Sequence, residues 1–111
     1  MPLTKEGNLS KCVVKSNCIL VEWEFGNVNQ VYDKLIKIAS KIPRTTVLEQ
    51  NNNYWHGVCR SFIFRFSDDL EILKLPETGV IQVRSASRIG VSDLGVNTNR
   101  VNNLYKKLMS A

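Results

Sequence analysis

The chain has one histidine, His56, and three cysteines without a Cys-x-x-Cys pair, so it lacks the ligand set of a structural zinc ion. No metal or cofactor is expected. No apolar stretch is long enough to span a bilayer, and residues 1–17 place Lys5, Lys11 and Lys15 with no apolar run between them. From that pattern no signal peptide is expected, and a cytoplasmic location is the expectation. In a reducing cytosol Cys12 and Cys18 are expected as free thiols, although an oxidising compartment would allow them to bridge. Basic residues outnumber acidic ones 15 to 10, yet no basic run reaches three. The surplus favours anionic partners without forming a nucleic-acid-binding arm. No repeat or low-complexity segment divides the chain.

At 111 residues, with 43% hydrophobic and 23% charged, the composition suits a single domain whose core needs no staples. Residues 1–17 read as an irregular lead-in. From Cys18 to Phe25, Ile19, Val21, Trp23 and Phe25 alternate with Leu20, Glu22 and Glu24, the period of a half-buried strand. Asn27 and Gln30 have capping-box spacing. Val28, Val31, Tyr32, Leu35, Ile38, Ala39 and Ile42 then recur at helical spacing until Pro43. Arg44 to Gln50 reads as a strand, Asn51-Asn52-Asn53 as a turn, and Tyr54 to Phe66 as the returning strand, with its phenylalanines in the core. Ser67-Asp68-Asp69 reads as a turn before a short strand, Leu70 to Leu75.

The stretch around which the rest is organised begins at Val80. Ile81, Val83 and Ser85 alternate with Gln82, Arg84 and Ala86, so a strand runs into a loop containing Gly90 and Gly95. Asn97 is a good N-cap for a final helix carrying Val101, Leu104, Tyr105 and Leu108 on one stripe. The reading is an α+β fold in the order β-α-β-β-β-β-α. About four to five antiparallel strands carry two helices on one face. The loop is expected to deliver Arg84, Ser85, Ser87, Arg88, Asp93, Asn97 and Arg100, with the amides of a helix N-terminus, to one anion-binding region. The competing reading is that Asp93 neutralises Arg84 or Arg88 and merely pins the loop.

Several segments resemble the domain of unknown function 1499 family. They are Cys12-x5-Cys18 with Asn17, Pro43-Arg44-Thr45, Arg60-Ser61, Arg65-Phe66-Ser67-Asp68-Asp69-Leu70-Glu71 and, most specifically, Val83 through Asn97 with Arg100 beyond. The resemblance spans Cys12 to Lys107. It implies a compact α+β domain and assigns no activity. Val13 and Ser16 replace prolines usual in the family, and Thr98 stands where an arginine is usual.

The leading functional expectation is a non-catalytic binding or accessory module. It would hold a small phosphate or carboxylate ligand, or an acidic tail of a protein partner, and no catalytic residue is nominated. The alternative is a small hydrolase or isomerase using Asp68, Asp69 or Asp93 as base, with arginines orienting an anionic substrate. A third reading, non-specific nucleic-acid binding, rests only on dispersed positive charge. His56 is expected to be structural or exposed, with no nucleophile at a recognisable spacing. Cys59 is expected as a small core residue.

Overall fold

The alternation at Ile19, Val21 and Trp23 becomes β1 (Cys18–Glu24), whose strand period puts these three side chains toward the helices. In the computed structural model, residues 7–61, 66–89 and 93–110 are described. The following elements are α1 (Val28–Ser40), β2 (Thr45–Gln50), β3 (Tyr54–Arg60), β4 (Ser67–Leu75), β5 (Val80–Ser87) and α2 (Val96–Ser110). The strands form one antiparallel sheet in the order β1-β5-β4-β3-β2. This is the expected order of elements, with five strands.

The core lies between the sheet and the two helices. Trp55, Leu70, Ile72, Ile81 and Val83 meet Tyr32, Leu35 and Ala39 of α1 and Val101, Leu104 and Leu108 of α2. Burying each of these large side chains contributes about 1.5–3 kcal/mol relative to exposure. The Trp55 ring lies over Gly57, where a Cβ would come within 2.5 Å of it. Only a hydrogen fits there. On the opposite face the N-terminal segment crosses the sheet, burying Leu9 against Tyr54 and Leu73. Its Leu9 N–H donates to Gln82 Oε1 at 2.9 Å.

Several local expectations change. Helix α1 ends at Ser40, short of Pro43, and the Asn27 side chain makes no backbone cap but donates to Gln30 Oε1 at 3.4 Å. Ser67, Asp68 and Asp69 belong to β4 instead of a turn, because they pair in register with Arg60, Cys59 and Val58. Strand β3 stops at Arg60, and Phe66 beyond it is 46% exposed, so it is not core. Phe62, Ile63, Phe64 and Arg65, like Gly90, Val91 and Ser92, lie outside the described residues. Cys12 and Cys18 are joined in a disulfide, where free thiols were expected. Cys59 is the buried free thiol.

Candidate functional site

Strand alternation decides where the arginines go. On β5 the side chains of Ile81, Val83, Ser85 and Ser87 face the helices, so Arg84 and, beyond the strand end, Arg88 face the other way. The expected single region is therefore two regions on opposite sides of the sheet.

On the helix-free face, Arg84 pairs with Glu71 at 3.3 Å and Arg88 with Asp69 at 3.0 Å. The Arg88 contact is bidentate, Nε to Oδ2 and Nη2 to Oδ1. His56 Nε2 lies 2.7 Å from Asp69 Oδ1, and Tyr54 Oη donates to Glu71 Oε2 at 2.6 Å. His56 is thus buried and paired, not exposed. Burial alone would raise the Asp69 pKa, but its hydrogen bonds from Arg88 and His56 outweigh this and hold the carboxyl below its ordinary range. Burial and the Glu71 contact push the Tyr54 hydroxyl far up. Arg84 Nε is buried with no hydrogen-bond partner among the described residues.

On the helix face, Arg100 of α2 reaches under the helix. Its Nη1 donates to Ser85 Oγ at 3.0 Å and Asn97 Oδ1 at 2.8 Å, while Nη2 meets Asp68 Oδ2 at 2.9 Å. Asn97 is not the N-cap but the second residue of α2, fully buried. Its Nδ2 reaches Asp93 Oδ2, Ser87 Oγ and the backbone oxygen of Asn17. The cap is Asp93, whose carboxylate accepts the amides of Gly95 at 2.8 Å and Asn97 at 3.1 Å. Burial would raise the Asp93 pKa, but the Asn97 side chain and these amides outweigh it and lower it. Asp93 therefore pairs with neither Arg84 nor Arg88. It occupies amides that were expected to be free.

The 12–18 loop is tied into this region: Ser16 O accepts the Asp93 amide at 3.1 Å. Leu94, next to it, takes a left-handed φ of 56° and is 89% exposed. Along one row of the sheet Thr45, Cys59, Asp68 and Ser87 are successive cross-strand partners. Thr45 Oγ1 donates to Cys59 Sγ at 3.3 Å, and burial pushes the thiol pKa up, away from a reactive thiolate. Nearby, Arg44 and Arg60 meet reciprocally: the Arg60 amide donates to Arg44 O and Arg44 Nε donates to Arg60 O.

Above Arg100 a groove of about 340 Å³ opens between the end of α1 and α2. Ile42, Pro43, Val96 and Leu104 supply its apolar lining, and Arg100, Lys107, Asn99 and Asn103 its polar one. Of the expected site residues, Ser85, Ser87, Asp93, Asn97 and Arg100 come together in one network beneath the groove, with Arg100 alone among them lining it, and Arg84 and Arg88 do not. Sequence reasoning missed Lys107, Asn99 and Asn103 as lining residues. Their own spacing of four residues, which puts Asn99, Asn103 and Lys107 on one face of the helix beside Arg100, was the available signal. It also missed the Tyr54–Glu71 contact, which needs the β3–β4 register. Among the described residues, no cluster of His, Cys, Asp and Glu suits a metal ion, and no helix is long and apolar enough to cross a membrane.

A comparison with curated proteins returned no match. The family described as "Protein of unknown function (DUF1499)" matches residues 8–108. Nearly the whole chain is covered, from the segment that crosses the back of the sheet to the last turn of α2. The chain belongs to the DUF1499 family.

Proposed function

We propose that the protein is a non-catalytic binding or accessory module holding an anionic group in the groove between α1 and α2. One observation carries the reading. A nearly buried guanidinium, Arg100, is fixed by Ser85, Asn97 and Asp68 while lining an open groove beside Lys107. Fixing the guanidinium in advance lowers the ordering cost of binding. Ser87, Asp93 and Asn97 position it rather than touch ligand. The apolar wall of Ile42, Pro43, Val96 and Leu104 suits a carboxylate or phosphate attached to an apolar body, or an acidic protein tail with apolar neighbours.

The hydrolase reading loses support because its bases are engaged. Asp69 and Asp93 are held ionised by their donors, and Asp68 meets Arg100. A carboxylate with a lowered pKa is a weak proton acceptor near neutrality. The Cys12–Cys18 bond favours an oxidising compartment over the cytosolic location expected from the sequence.

Thermal-shift titrations with citrate and with inorganic phosphate test the proposal. The native chain should be stabilised saturably, and Lys107→Glu should abolish the shift without altering the unliganded melting temperature. Equal shifts in the two proteins would remove the assigned groove.

A further inference from the structure

We infer that the outer edge of β2 and the flank of α1 beside it form a docking groove for a partner protein. The occupant is an extended segment in which carboxylates recur at alternate positions. β2 is one edge of the sheet, and Thr46, Val47, Leu48, Glu49 and Gln50 are all exposed. Val47 and Leu48, 40% and 54% exposed, make this an apolar edge without the lysine or proline that commonly blunts one.

The backbone of this edge can bond a further strand. The Arg60 amide donates to Arg44 O, so antiparallel alternation joins Thr46 to Val58 and turns the N–H and C=O of Thr45 and Val47 outward. Past the irregularity between Val47 and Glu49, the Asn51 amide donates to Tyr54 O, and the same alternation turns Gln50 outward. The irregularity bends the edge, so the stretch that matches an added strand is the short one around Thr45 and Val47.

Helix α1 supplies the charge. Tyr32 donates to Asn51 O at 3.0 Å and Ser40 Oγ accepts from Trp55 Nε1 at 3.2 Å, which fixes the helix along the β2–β3 hairpin. Between helix and edge lies a groove of about 440 Å³, lined by Asp33, Ile36, Lys37, Ser40, Lys41 and Gln50. It shares no lining residue with the α1–α2 groove. Lys37 and Lys41 are exposed and enter none of the ion pairs among the described residues. Their four-residue spacing is about 6 Å of helix rise. Side chains two apart on a strand, on one face, are separated by about 6.6 Å. Carboxylates at alternate positions of a docked strand therefore match the two ammoniums one for one. Asp33, one turn earlier on the same row, opposes an acid at the Gln50 end. A second copy of this chain, paired edge to edge, would bring its own lysine flank to the same side of the joined sheet, so the charge selects an acidic partner instead.

The test is a ¹H–¹⁵N titration of the full chain with a capped heptapeptide alternating threonine and glutamate, and with the same peptide carrying glutamine for glutamate. The amides of Thr45, Val47 and Gln50 should shift saturably with the acidic peptide, while those of Asn99 and Asn103 in the other groove stay in place. The glutamine peptide should bind about tenfold more weakly or worse. Lys37→Glu with Lys41→Glu, both at exposed positions, should abolish binding of the acidic peptide. Val47→Pro removes an outward amide and leaves the inward ladder bonds, and it should weaken both peptides. The absence of a saturable shift, equal affinity for the two peptides, or full affinity in the folded double lysine variant would overturn the inference. So would sedimentation showing that the chain alone dimerises through β2, since a second copy would then hold the edge.

Discussion

Ser85 donates its hydroxyl to Asn97 Oδ1 at 2.6 Å, joining β5 to the first turn of α2 inside the protein. The same oxygen accepts from Arg100, and the Asn97 amide group reaches Asp93, Ser87 and Asn17 O. One fully buried side chain therefore ties together a strand, a helix and the N-terminal loop. Asn97→Ala should destabilise the fold by about 3 kcal/mol or more, since each stranded buried polar group costs roughly 1–3 kcal/mol. Urea unfolding measures it; a loss below about 1 kcal/mol would show that the network contributes little.

The arginines of β5 should behave unequally although each meets a carboxylate. Glu71 is almost wholly buried, so Arg84→Ala strands a charge and should cost about 3–5 kcal/mol. The Arg88 side chain is 47% exposed, and Arg88→Ala should cost less than about 1 kcal/mol in spite of its bidentate contact. Denaturant midpoints of the two variants provide the comparison. Similar losses would mean that burial does not rank these pairs.

Much of this was readable beforehand, and the reasons for the rest are physical. Alternation at Ile81, Val83 and Ser85 located β5, and helical spacing located α1, because each has one buried face and one wet face. The same alternation already separated Arg84 from Ser85. That parity was obscured by treating the strand and the loop behind it as one cluster. Asp68 and Asp69 looked like a turn because aspartate favours turns. Their place in β4 depends on pairing with Val58 and Cys59, which no local window contains. Asn97 looked like a cap because of its residue type, but Asp93, four residues earlier, reaches the amides first.

Acid should unfold the protein through Asp69 and Asp93. Both have folded-state pKa values below their unfolded ones, so their stabilising effect is complete above the ordinary carboxylate range, about pH 4. It is lost as pH falls through the lowered values. The stability of Asp69→Asn should consequently fall less steeply than that of the native chain below about pH 4. Tyr32 acts at the other extreme. Burial raises its pKa from 10.0 to about 12, so stability should decline as pH rises between those values. Urea midpoints across pH check both limbs, and a flat native acid limb would contradict the assignment.

The disulfide should stiffen the region around Asp93. It closes a short loop over residues 12–18, whose Ser16 O and Asn17 O hold Asp93 and Asn97. Replacing Cys12 and Cys18 by serine should cost about 2 kcal/mol on loop-entropy grounds. Amide exchange at Asp93 and Asn97 should accelerate more than exchange in β3. Uniform acceleration across the sheet would indicate a global effect only.

Calorimetric titration of citrate into the native chain and into Lys107→Glu tests the proposed α1–α2 site most directly. The account predicts saturable binding to the native protein, with affinity about tenfold weaker or worse once Lys107 is reversed in charge. No measurable heat with the native chain, or equal affinities in the two proteins, would contradict it.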